Sequence, residues 1–104
     1  MDISVIICTR NRCESLNETL KSLLCQEGDL CSFEIVVVDN KSTDRTQEAV
    51  EQYIPLFKNR LRYAFEPSPG LSFARNKGVH EAKGAVIAFT DDDCIADENW
   101  FKNV

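Results

Sequence analysis

Three consecutive carboxylates, Asp91-Asp92-Asp93, close an apolar run and form the most chemically loaded segment of the chain. Adjacent carboxylates repel one another, so the cluster calls for something that offsets the repulsion. A hard divalent cation does so through oxygen ligands. Mg2+ and Mn2+ typically take one or two protein carboxylates plus phosphate oxygens. In extended chain, side chains 91 and 93 point one way and 92 the other. One face then suits a metal and the other a ribose hydroxyl. The competing reading is a solvated acidic turn ahead of a helix. Asp39, after Val36-Val37-Val38, also has two readings of equal weight. Its carboxylate can accept from a base N–H or a ribose hydroxyl, or it can organise Asp39-Asn40-Lys41-Ser42 as an Asx turn.

Arg10 and Arg12 follow the first apolar run, and Arg75 lies much further on. Arginine suits clamping phosphate and stacking on a base, although a surface ion pair is the more ordinary fate of any single arginine. His80, the only histidine, stands beside Glu81 with no nucleophile to pair with and reads as a surface residue. Gly70 and Gly78 read as backbone devices, a turn and a close helix approach. No GxGxxG follows the first apolar run and no GxxxxGK[ST] occurs, which weakens dehydrogenase and P-loop readings.

The elements that must position these groups alternate regularly. Ile3 to Cys8 reads as a buried parallel strand. Asn11 is the expected N-cap of a helix over 13–26 that carries Leu16, Leu20, Leu23 and Leu24. A second strand covers 33–38. Ser42 or Thr43 is expected to cap the next helix, whose apolar face holds Ala49, Val50, Tyr53, Ile54 and Phe57. An edge-like strand over 61–65, a rigid Pro67-Ser68-Pro69-Gly70 loop and a helix over 71–82 follow. Gly84 breaks that helix, and a buried strand over 85–89 leads to the acidic triplet. Asp97 is the expected cap of a last helix with Trp100 and Phe101. This βαβαβαβα order predicts an α/β fold, a three-layer α/β/α arrangement around a mainly parallel sheet. Ligands bind outside the carboxyl ends of such strands. Thr9-Arg10-Asn11-Arg12, Asp39-Asn40 and Asp91-Asp92-Asp93 all fall there.

Composition narrows the function further. The 104 residues are 43% hydrophobic and 28% charged, ordinary for one small globular domain. A net charge of -5 argues against nonspecific nucleic-acid binding, which needs a basic face. Five cysteines, an odd number without C-x-x-C spacing, suggest neither a disulfide framework nor a zinc site. Cys8 is expected to be a buried thiol. The start has no secretory signal pattern, and runs such as Val5-Ile6-Ile7-Cys8 are far too short to span a bilayer. A soluble protein of a reducing cytoplasm is the expectation.

Four stretches in one order, ISVIICTRNR at 3–12, EIVVVDNKSTDRT at 34–46, GLSFARNKGV at 70–79 and AVIAFTDDDC at 85–94, resemble family 2 glycosyltransferases of the GT-A fold. The resemblance implies a Rossmann-like nucleotide-binding half. It makes 1–104 the N-terminal nucleotide-sugar-binding part of such a domain, truncated at its C-terminal end, with acceptor site and catalytic base expected beyond Val104. It implies that Thr9 opens the nucleotide pocket, flanked by Arg10, Asn11 and Arg12, and that Asp39 contacts the base, usually uracil. Arg75 would lie near the diphosphate or sugar. Asp93 would be the main metal ligand, Asp91 a ribose or metal contact, and Asp92 a nucleotide-side neighbour. The family often carries an aromatic residue where Arg10 stands, so the choice of uracil stays open.

The implied activity is inverting, Mn2+- or Mg2+-dependent sugar transfer from a nucleotide-sugar, UDP-linked by expectation. The acceptor would be a glycan, a lipid-linked molecule or another group, as in polysaccharide or glycoconjugate biosynthesis. Peripheral association of the whole protein with the inner face of the membrane stays open. Two alternatives stand beside it. A nucleotidyltransferase usually opens with a Gly-rich loop, and Thr9-Arg10-Asn11-Arg12 has no glycine. A truncated module would bind nucleotide without turnover.

Overall fold

The computed structural model of the protein describes residues 3–24, 33–57 and 60–90. Strands β1 (Ile3–Thr9), β2 (Phe33–Asp39), β3 (Leu61–Phe65) and β4 (Val86–Thr90) form one sheet in the order β3-β2-β1-β4. Every pairing is parallel. Helix α1 (Cys13–Leu24) joins β1 to β2, and α2 (Thr46–Tyr53) with a short 3-10 turn at Pro55–Phe57 joins β2 to β3. Helix α3 (Leu71–Glu81) carries the chain from β3 across to β4.

The period-2 alternation of strands sorts side chains onto two faces. Ile3, Val5, Ile7, Phe33, Ile35 and Val37 pack with Leu16, Leu20 and Leu23 of α1 and Val50 and Tyr53 of α2. Ile6, Val36 and Val38 meet Ala74 of α3 on the other face. The three layers are therefore α1 and α2, the sheet, and α3, as expected. The central strands are covered on both sides, which is why they read as continuous apolar runs. Helix α3 comes close because Gly78 lacks a side chain. A Cβ there would lie 2.4 Å from Ile6 Cγ2.

Glu34, 1% exposed, is a charge inside this sheet. Ser4 Oγ donates to its Oε2 at 2.6 Å and the Lys83 N–H at 2.7 Å, while Arg62 reaches Oε1 from Nε and Nη2 at 3.1 and 2.8 Å. The Gly84 N–H donates to Ser4 Oγ at 2.7 Å. Burial alone would raise the Glu34 carboxyl. The donors from Ser4, Lys83 and Arg62 outweigh it and hold the group below its ordinary range. The cluster ties the α3–β4 connection to the starts of β1 and β2.

Several expectations are corrected. Asn11 does not cap α1: it adopts φ 53° and its Oδ1 accepts the Thr43 N–H at 2.7 Å. Asp44 Oδ2 instead accepts from the Cys13 N–H at 3.2 Å, capping α1 from the next loop. Neither Ser42 nor Thr43 caps α2. Arg45 holds the N-cap position, and Asp44 Oδ1 accepts the Thr46 N–H at 3.1 Å. Strand β4 is not buried, since Val86, Ile87 and Phe89 are exposed. Cys8 is half-buried rather than buried, and His80 is exposed as expected. The expected end of α1 at 25–26, the Asp91-Asp92-Asp93 triplet and the Asp97-capped helix with Trp100 and Phe101 lie outside the described residues. Among the described residues no helix is long and apolar enough to cross a membrane.

Candidate functional site

The carboxyl edge of the sheet is where the sequence gathered its polar clusters. Thr9 pairs with Asp39 and Asp39 with Phe65, so the ends of β1, β2 and β3 lie level. Strand β4 reaches the same edge two residues earlier, Thr90 pairing with Ile7. Hydrogen bonds then knit the loops. The Asn40 N–H donates to Thr9 O and the Glu66 N–H to Asp39 O, both at 2.8 Å. The Asn11 N–H donates to Ser42 Oγ at 2.9 Å.

Asp39 turns toward the α1 and α2 side. It is 2% exposed, and both oxygens are engaged: Oδ1 accepts the Ser42 N–H at 2.9 Å and Oδ2 the Tyr63 hydroxyl at 2.6 Å. The bond from the Ser42 N–H bears out the turn-organising reading, and each oxygen keeps a second lone pair.

Asn40, one residue on, faces the other side. A cleft of about 250 Å³ opens there, lined by Cys8, Thr9, Arg10, Asn40 and the Gly70, Leu71 and Ala74 end of α3. The Asn40 amide holds the far wall. Its Nδ2 donates to Glu66 O at 3.2 Å and Ser68 O at 2.7 Å, and its Oδ1 accepts the Gly70 N–H at 2.9 Å. An amide oxygen has two lone pairs, so Oδ1 can accept once more. Gly70 starts α3 at φ 131°, a conformation disfavoured for any residue with a side chain. No side chain caps that helix end, which leaves first-turn N–H groups and the positive end of the dipole on the cleft side.

The sequence-derived candidates separate here. Thr9 and Arg10 line the cleft. Asn11 and Arg12 border a neighbouring groove with Cys13 and Asp44 at the start of α1. Arg75, next to the cleft-lining Ala74, is exposed and lays its guanidinium over the Phe89 ring at 5.8 Å. Asp91, Asp92 and Asp93 lie outside the described residues. Among the described residues no group of three His, Cys, Asp or Glu side chains is placed to hold a metal.

The sequence model of glycosyl transferase family 2 matches residues 4–104. The chain belongs to this family. It is similar to glycosyltransferase AglE of Haloferax volcanii, 32% identical over 100 residues, 96% of this chain and 33% of AglE. Staphylococcus aureus TarS 1–349 superposes with a TM-score of 0.89 at 33% identity, covering 99% of this chain and 31% of that one. TarS has also been solved with UDP and with UDP-GlcNAc. A Pyrobaculum calidifontis mannosyltransferase, solved with GDP-Man and Mn2+, gives a TM-score of 0.84 at 28% identity over 93% of this chain and 29% of that one. The chain spans about a third of AglE, of TarS 1–349 and of the solved mannosyltransferase chain. Its α/β fold is that of the matching part of these GT-A glycosyltransferases, and the family matched is a glycosyltransferase family, not a nucleotidyltransferase one.

Within this family 2 domain, sequence reasoning missed three contributors. Asn40 was seen only as part of a polar pair, Tyr63 as a strand residue, and Asp44 not at all. The bonds from Tyr63 to Asp39, from Cys13 to Asp44 and from Asn40 to Glu66 span 24 to 31 residues, a separation that leaves no local spacing signal.

Proposed function

We propose that this chain is the donor-binding part of an inverting, divalent-cation-dependent glycosyltransferase that uses a nucleotide-sugar, UDP-linked in the first instance. The observation that carries this is the cleft between the ends of β1 and β2 and the amino end of α3. The base sits against Arg10, whose planar guanidinium can stack on it. The base contact expected of Asp39 passes to Asn40, whose Oδ1 keeps an acceptor position for a base N–H. Asp39 shapes the turn behind it. The diphosphate lies toward the uncapped start of α3 and Arg75, both suited to phosphate oxygens. The complexes of TarS with UDP-GlcNAc and of the mannosyltransferase with GDP-Man and Mn2+ support a nucleotide-sugar in this fold.

Hard carboxylate oxygens fit Mn2+ or Mg2+, and in the sequence Asp91-Asp92-Asp93 follows Thr90, the last residue of β4. Asp91 and Asp93 are the residues that would hold the cation, with Asp92 on the nucleotide side. The cation's contribution is charge neutralisation on the departing diphosphate. The 1–104 stretch is, in this reading, one N-terminal part of a longer domain in which the acceptor and its base are held elsewhere. Glycan or lipid-linked acceptors, and work at the cytoplasmic face of a membrane, fit the biosynthetic enzymes it resembles.

Calorimetry with UDP, CDP and GDP in the presence of Mn2+ tests the proposal. UDP binding with a measurable preference among the bases is expected. No binding of any nucleoside diphosphate by a folded protein overturns it.

A further inference from the structure

We propose that Phe89 is a positioning residue for donor binding, holding the Arg75 guanidinium at the diphosphate side of the cleft. This rests on the cleft assigned above. Phe89 pairs with Ile6 on β1 and therefore projects from the α3 face of the sheet, the face that carries Cys8, Asn40 and Ala74. It is 49% exposed. What covers part of it is Arg75, one residue beyond Ala74, with its guanidinium carbon 5.8 Å from the ring centroid.

An arginine on a helix surface is free to sample many rotamers, and ordering it on a ligand loses that freedom. A guanidinium resting on an aromatic face is already restricted, and the cation–π attraction leaves its in-plane N–H donors outward for phosphate oxygens. Preorganisation of this kind raises affinity by lowering the ordering cost. The ring also stands one residue before Thr90, on the strand that leads to the acidic triplet. Arg75 is thereby set between the cleft and the end of β4.

The test compares UDP and UMP affinity, at fixed Mn2+, in the intact protein and in Phe89→Leu, Phe89→Tyr and Arg75→Gln variants, each checked for an unchanged melting transition. Phe89→Leu keeps apolar bulk and loses the ring. It should weaken UDP about three- to tenfold, the range set by a cation–π contact, and leave UMP within about twofold. Phe89→Tyr keeps the ring face and should restore UDP binding. Arg75→Gln should weaken UDP at least as much as Phe89→Leu. If Arg75→Gln is selective for UDP and Phe89→Leu is silent, the positioning role fails while the donor site stands. If Arg75→Gln is itself silent, both the role of Arg75 and the proposal fall. An equal loss of UDP and UMP in Phe89→Leu marks a merely structural residue and also overturns it.

Discussion

The Tyr63 hydroxyl donates to Asp39 Oδ2 at 2.6 Å, joining β3 to the end of β2. Burial pushes the Tyr63 phenol up, and the Asp39 carboxylate beside it pushes further, so the hydroxyl keeps its proton and remains a donor. Tyr63→Phe keeps the ring and leaves one oxygen of an almost fully buried carboxylate short of its partner. Stability should fall by about 1–3 kcal/mol, read from the urea midpoint at constant slope. A shift within error would show that water replaces the phenol.

Asn40 supports the opposite wall. Asn40→Ala removes the two bonds to Glu66 O and Ser68 O and the one from the Gly70 N–H. At about 1 kcal/mol each, the loss is about 2–3 kcal/mol. The Gly70 amide should exchange with solvent faster than amides in the middle of β2, and UDP binding should weaken with it. Unchanged Gly70 protection would mean that the 66–70 loop holds itself.

The contrast between Asp39 and Asn40 shows where sequence reading stops. The apolar runs of β1 and β2 and the order of elements were legible because strands covered on both faces need continuous hydrophobicity. The carboxyl edge was legible because parallel sheets place their loops there. Which of two adjacent polar residues faces the cleft was not. Alternation puts Asp39 with Val37 and Asn40 with Val38, but which of those faces meets α1 and α2 and which meets α3 is set by the crossovers, which no local spacing reveals. The caps failed for another reason. Asn11 and Asp44 bond across to each other's loops, so the local rule that places a cap just before its own helix had no purchase. Glu34 fell inside the expected second strand, with nothing local to mark it as buried. Its burial depends on Ser4, Arg62 and Lys83, far apart in the chain.

That buried carboxylate should leave a signature in acid. Its folded-state pKa is depressed from an ordinary value of 4.5. Its stabilisation is therefore present above that value and is lost as the pH falls through the folded-state range, where the folded carboxylate takes up its proton. Glu34→Gln should lower stability at neutral pH and flatten the fall between about pH 4.5 and the acid transition. Parallel acid limbs in the variant and the wild type would assign the acid sensitivity elsewhere, with Asp44, also held below its ordinary range, the next candidate.

Gly78 marks the close approach of α3 to β1. Alanine favours a helix interior by about 1 kcal/mol over glycine, so a solvent-facing site would gain. Here the added methyl would meet Ile6 Cγ2 at 2.4 Å and Val38 Cγ2 at 3.4 Å, both on fully buried side chains. Overpacking of this kind costs about 1–3 kcal/mol, so the net effect of Gly78→Ala should be destabilising. A raised melting temperature would show that α3 can shift outward freely.

The cation prediction rests on the acidic triplet that β4 leads into. A divalent ion held by Asp91 and Asp93 would add affinity only for a ligand whose phosphate oxygens complete its shell. UDP should therefore bind more tightly with Mn2+ than with EDTA, and uridine, which has no phosphate, should not distinguish the two. Asp93→Ala removes one ligand. It should cancel most of the Mn2+ advantage, about 1–3 kcal/mol or roughly five- to 150-fold in affinity, while leaving metal-free UDP binding near its wild-type value, because Asn40, Arg10 and the start of α3 are untouched. Asp92→Ala separates chemistry from charge: it removes the same charge without removing a proposed ligand, so its Mn2+ advantage should largely survive. Equal UDP affinities with and without Mn2+ in the wild type would remove the metal from this site. Equal losses in Asp92→Ala and Asp93→Ala would reduce the triplet to a diffuse negative charge with no defined ligand.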